Sequence, residues 1–345
     1  MKHVREFSRN NLLSVGYLMK GTKMIHPHFD ALRSRIFLFL SICIALGYSI
    51  QCFGQDKSKL ILGVLEYYHP KWANESPNII SKENPTYKRQ VRIMFMKEGK
   101  IWKSFNHDAS TPEELAGSLK YYPDTVSWFA AFDGKLVSEF RSFKPDSIGW
   151  YSDIGLHMAD PNANLPVIGK LTKEFSGWNS DPSLRPLVLV SQNNTSDPDG
   201  WKVIHSVDPS IIGLCFPEFH RIQPTVDTSS DEDRVDTVAY EDKVIILNKA
   251  YRSSNGEYLI ALSIDPAFQH ACAGSLEEWP ASWFYLDTRK TVRFIGSGMR
   301  LVDAGDYDND GTSEVLFWES GYNMDGYVLF YNHFSRKVEF SWGYN

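Results

Sequence analysis

The residues best suited to chemistry lie near the C-terminus, in the run Asp306-Tyr307-Asp308-Asn309-Asp310-Gly311-Thr312-Ser313-Glu314. Carboxylates at the first, third and fifth positions of a tight loop converge on one point. Gly311 permits a sharp bend after the third, the carbonyl of Thr312 can supply an oxygen from the seventh, and Glu314 closes the ninth. Calcium is a hard cation that takes six to eight oxygens at about 2.3–2.6 Å, whereas magnesium prefers to keep several waters. The expected cofactor is therefore Ca2+, with Asp306, Asp308, Asp310, Thr312 and Glu314 as ligands. The alternative is an acidic turn without metal, its aspartates capping local amides. An EF-hand is excluded, because position twelve is Phe317 where that motif needs glutamate, and the flanks read as strands.

The elements that must hold this loop are short strands. Arg300–Val302 leads in, and Val315–Glu319, Tyr327–Tyr331 and Lys337–Trp342 follow, with turns at Asp325-Gly326 and over 332–336. Four such strands in a meander have the shape of one propeller blade. Upstream, Leu60–Tyr68 is an apolar run, and two hairpins are expected. Val91–Met96 and Ile101–Phe105 flank Gly99, and Val126–Phe132 and Leu136–Phe143 flank Asp133-Gly134, a pair suited to the positive φ of a tight turn. Leu187–Ser191, Val244–Asn248, Tyr258–Ile264, Trp283–Asp287 and Thr291–Ile295 complete the predicted strands. Helix signals are few, the clearest being Thr111-Pro112-Glu113-Glu114-Leu115, with a capping hydroxyl, a first-turn proline and acidic residues.

The stretch Leu301-Val-Asp303-Ala-Gly305-Asp306-Tyr-Asp308-Asn-Asp310-Gly311-Thr-Ser-Glu314-Val315 resembles the FG-GAP or VCBS-type repeat. That repeat occurs in integrin α-subunit propellers and many exported bacterial proteins. In it the loop joins the first and second strands of a blade and binds calcium. The resemblance therefore implies that Asp306, Asp308, Asp310, Thr312 (through its carbonyl) and Glu314 are ligands. The glutamate departs from the aspartate more usual at that position. The likeness covers residues 298–342 in a single copy, and Asp197-Pro198-Asp199-Gly200 reads only as a turn. Extended to the whole chain, it implies an all-β fold, a β-propeller of four-stranded meanders; a β-sandwich or mixed β architecture is the alternative.

Composition agrees with a β-rich globular chain. The 345 residues are 43% hydrophobic and 14% aromatic, and 17 prolines and 23 glycines supply the turns such a fold needs. A net charge of −6 without a basic stretch offers nucleic acid no electrostatic footprint. Arg33 and Arg35 precede an apolar run, Ile36–Ile50, of about 15 residues, shorter than the ~20 of a membrane span. Residues 1–54 are thus expected to be a leader with a signal peptide cut after Gly54, with Met24 as an alternative start. The alternatives are an uncleaved anchor or lipidation at Cys52. Residues 55–345 would then be one exported all-β domain, secreted or periplasmic. Cleavage would leave Cys215 and Cys272, either bridged in an oxidising compartment or both buried thiols.

No catalytic constellation stands out, so the sequence-level reading leans against an enzyme. His-Glu-x-x-His and Gly-x-Ser-x-Gly motifs do not occur. Glu218 with His220 would share a face of a strand, and Glu66 with His69 could line a cleft; either is more often structural. Trp72, Trp102, Trp150, Trp178 and Trp201 could stack on sugar, though a β-rich core absorbs tryptophan as well. The expected role is a binding or scaffold module for an extracytoplasmic protein or carbohydrate. The alternative is an exported hydrolase or lyase acting on polysaccharide or another envelope substrate.

Overall fold

The computed structural model describes residues 59–68, 88–105, 112–177, 182–227, 237–268 and 281–344. The first seven strands are β1 (Ile61–Tyr68), β2 (Lys88–Glu98), β3 (Ile101–Ser104), β4 (Thr125–Phe132), β5 (Lys135–Phe143), β6 (Leu156–Ala159) and β7 (Leu187–Val190). They form one antiparallel sheet in the order β1-β7-β4-β5-β6-β2-β3, and the extra pairing of β1 with β2 closes six of them into a barrel. Helix α1 (Pro112–Ser118) follows β3, where the sequence predicts it.

Next come β8 (Lys202–Val203), β9 (Val226–Asp227), β10 (Thr237–Val238), β11 (Ile245–Arg252), β12 (Tyr258–Ile264), β13 (Ser282–Leu286) and β14 (Val292–Ser297). β9 and β10 pair with each other, and the rest form a five-stranded sheet, β14-β13-β12-β11-β8. The chain ends in a meander of β15 (Met299–Gly305), β16 (Glu314–Gly321), β17 (Met324–Tyr331) and β18 (Arg336–Gly343). The fold is all-β, as expected. The first half differs from the expected row of meanders: β1 must serve both β2 and β7, so its segment closes a barrel instead of forming a blade.

The meander is the middle layer. Leu316, Trp318, Tyr327, Leu329 and Tyr331 pack into the barrel's cluster, while Val315, Phe317, Val328 and Phe330 pack against the five-stranded sheet. With both faces covered, these strands read as continuous apolar runs, as buried sheets do. The outer face of the five-stranded sheet packs on helices α2 (Pro209–Gly213) and α3 (Phe216–Ile222) through Phe219 and Cys215. Asp208 caps α2, its side chain accepting from Ser210 N, with proline at the first turn.

One irregularity in β2 matters for the site. Gly63 faces Ile93 and Leu62 faces Phe95, so Met94 is an extra residue, a β-bulge. Arg92 and Lys97 stand an odd number of residues apart and would face opposite sides of an unbroken strand. The bulge brings them to one side: Arg92 lies 3.9 Å from the Trp342 ring centre, Phe95 meets Phe340 edge-on, and Lys97 reaches the 306–314 loop. Gly63 is required there, because a Cβ would come within 2.5 Å of Arg92 O.

Candidate metal centre

The loop from 306 to 313 joins β15 to β16, the first two strands of the meander. Tyr307 anchors it: the ring is fully buried in the barrel-side cluster and lies over Gly305, where a Cβ would meet it at 2.5 Å. Asp306 organises the turn, Oδ1 accepting from Asp310 N at 2.9 Å and Oδ2 from Gly311 N at 2.9 Å. Asp308 Oδ1 also accepts from Asp310 N, at 3.1 Å, and Glu314 Oε2 accepts from Tyr307 N at 2.8 Å. Asn309 and Gly311 take the positive φ values, 58° and 90°, that turn the chain.

Oxygens of Asp306, Asp308 and Glu314 all lie within 4.8 Å of one another. A divalent cation takes oxygens at about 2.0–2.6 Å, so oxygens spaced this closely can share one ion. Asp308 Oδ2 is buried, and its one partner among the described residues is the Lys97 ammonium of β2. A buried carboxylate oxygen with only a cation beside it, in an all-oxygen donor set, fits a hard divalent ion. The structure brings together three of the four expected carboxylate ligands. Asp310 is exposed at the tip, its Oδ1 accepting from Thr312 N at 2.9 Å, and Thr312 is half-buried beside it.

Electrostatics sets this loop apart. Burial pushes the Glu314 carboxyl up to about 8, with Lys97 opposing the shift. Burial lowers the Lys97 ammonium from its usual range, while Glu314, Asp310 and Asp306 favour its charged form. One ammonium thus faces four carboxylates.

A second loop braces the first, and the sequence reading took it only as a turn. Asp197-Pro198-Asp199-Gly200 does turn, with Gly200 N donating to Asp197 Oδ1 at 2.9 Å. It also holds Ser313: Asp199 Oδ2 accepts from Ser313 N at 3.0 Å, and Asp197 Oδ1 accepts from Ser313 Oγ at 2.6 Å. Asp306 N donates to Ser196 O at 2.7 Å. Nothing local in the sequence signals a contact across more than a hundred residues.

The weaker candidates resolve structurally. Glu66 is buried and bound by Gln90, Arg92 and Tyr327, so it lines no cleft; His69 lies outside the described residues. Glu218 and His220 sit on helix α3, not a strand, so two-residue spacing does not give them one face. Glu218 pairs with Arg221, and His220 pairs with Asp242. Cys215 is buried, and burial pushes its thiol up to about 12; Cys272, its partner in the bridged reading, lies outside the described residues. Trp102 is core, Trp201 is half-buried against Phe334, and Trp150 is 70% exposed. Trp72 and Trp178 lie outside the described residues.

A cleft of about 720 Å³ opens beside β11 and β12, over Ala261, Ser263 and Trp283, with Lys249 and Glu174 at its side. Among the described residues that line it Glu174 is the one carboxylate, and it is ion-paired with Lys249. The pair of acids that glycoside cleavage requires is not assembled there among the described residues. No helix among the described residues is long and apolar enough to cross a membrane. No protein-family model, no curated protein and no solved structure matches the chain.

Proposed function

We propose that this chain is an exported calcium-binding module. The ion fixes the 306–314 loop and thereby the meander between the barrel and the five-stranded sheet. The supporting observation is the convergence of Asp306, Asp308 and Glu314, with a buried Asp308 oxygen already met by a cation, the Lys97 ammonium. The module acts by binding or scaffolding, offering its loops to an extracytoplasmic protein or carbohydrate. The FG-GAP likeness extends to the meander and its loop. The propeller reading extends at most to this meander and the five-stranded sheet stacked on it. The enzymatic alternative has less support, since Glu174 is the only acid among the described residues that line the cleft.

A thermal melt of the full chain in about 1 mM calcium, repeated in chelator, tests this reading. A site of roughly 10 μM affinity would stabilise the fold by about 2.7 kcal/mol. Asp308→Ala combined with Asp310→Ala should abolish the calcium-dependent rise. A rise that survives in the double variant places the metal elsewhere, and no rise in the wild type overturns the proposal.

A further inference from the structure

Lys97 belongs to the barrel, yet its ammonium ends inside the meander's acidic loop. The bulge at Met94 aims it there. It lies 5.1 Å from the Trp102 ring centre and 5.9 Å from that of Tyr331, and meets the buried Oδ2 of Asp308. Its side chain is only 13% exposed and that of Asp308 only 2%. Asp306, Asp310 and Glu314 complete its electrostatic surroundings.

The loop carries hydrogen bonds of its own besides this lysine. Backbone amides of Asp310, Gly311 and Tyr307 hold Asp306, Asp308 and Glu314 from within the loop. Those hydrogen bonds are made within the loop and do not use the ammonium. A divalent ion drawn to those oxygens would share the Asp308 carboxylate that Lys97 contacts, and two cations at that distance repel strongly in a partly buried site. Lysine suits such an exchange, being a compact point charge on a flexible stem.

We propose that Lys97 is a tethered competitor for the loop's divalent cation. It neutralises the loop in the metal-free protein and is expelled toward solvent when the ion binds. Binding would exchange a barrel-to-loop ion pair for a metal contained in the loop, releasing β2 from the meander at that point. The competition weakens the site and makes it responsive to the surrounding calcium concentration. This inference rests on the cation-binding reading above.

Two measurements on the full chain test it. Calcium titration by calorimetry compares the wild type with Lys97→Met, which keeps an unbranched apolar stem and removes the charge. The dissociation constant should tighten by about tenfold or more in the variant. Acylation of Lys97 by an amine-reactive reagent, followed by mass spectrometry, should rise severalfold in the wild type when calcium is added. Lys249, paired with Glu174 far from the loop in sequence, is the internal control and should label at an unchanged rate. Equal affinities, or weaker binding by the variant, would overturn the competition, as would unchanged labelling in calcium-bound protein. Binding by the variant alone would show that the lysine wins in the native chain, which supports the competition while overturning calcium occupancy of the wild type. Binding by neither protein overturns both readings. Should Lys97→Met fail to fold, the wild-type labelling decides.

Discussion

Glu66 and Glu314 are both buried glutamates where the barrel meets the meander, and the protein treats them in opposite ways. Glu66 is closed on every side. Its Oε2 accepts from Gln90 at 2.5 Å and Arg92 at 3.1 Å, and its Oε1 accepts from Tyr327 at 3.0 Å. Arg92 in turn donates to the carbonyls of Ser152 and Ile154 and stacks on Trp342. Glu314 has the Tyr307 amide, the Trp102 indole beside it and a share of a single lysine spread over four carboxylates, and burial still holds its carboxyl up at about 8. A buried charge that is fully paired belongs to the architecture, whereas one left under-compensated marks a place where something else can bind.

The contrast can be broken most severely at Arg92. Arg92→Leu strands Glu66 as an unpaired buried charge and should cost about 3–5 kcal/mol in urea unfolding. The loss should be the same in calcium and in chelator, because this cluster has no vacancy for an ion. A calcium-dependent loss would show that the two clusters are coupled.

A second closed cluster, inside the barrel, should answer to protons instead. Ser142 Oγ accepts from Trp128 Nε1 at 2.6 Å and meets His157 Nδ1 at 2.6 Å, while His157 Nε2 faces Pro123 O at 2.9 Å. Donating Nε2–H to that carbonyl leaves Nδ1 as acceptor for the serine, so the ring is neutral. Burial depresses its titration to about 4. The unfolded chain takes up the proton first, so this contribution is present above about pH 6.5 and is lost as pH falls toward 4, up to about 3 kcal/mol. Urea midpoints across that range should show the slope in the wild type and lose it in His157→Asn.

Smaller effects sharpen the picture of the loop. The Asp308→Ala, Asp310→Ala double variant should forfeit the stabilisation by calcium, about 2.7 kcal/mol for a 10 μM site. Asp199→Ala removes the acceptor for Ser313 N and should cost about 1–2 kcal/mol, with weaker calcium binding in the same titration. Unchanged calcium affinity in that variant would reduce the 197–200 turn to a bystander.

Much of this was legible in the residues. Hairpin turns announced themselves: Asp133 and Gly134 adopt φ of 52° and 66°, and β12 spans the Tyr258–Ile264 run that follows the Asn255-Gly256 turn pair. The acidic loop was readable because its spacing is local. Barrel closure was not, since β1 pairs with β7 across more than a hundred residues and neither strand carries a mark of its partner. Helix α2 had a usable signal in Asp208-Pro209, a cap followed by proline, that the strand-rich reading passed over. Lys97 was hidden most completely. In sequence it is a turn-flanking lysine, and only the bulge at Met94, set by pairing with β1, aims it at the loop.

The most direct test of the account counts calcium ions. Equilibrium dialysis of the full chain against graded calcium should give one ion per wild-type chain at saturation, and none for Asp306→Ala combined with Asp308→Ala. No saturable calcium up to millimolar concentration, or equal binding by the double variant, would contradict the claim that this loop is a cation site.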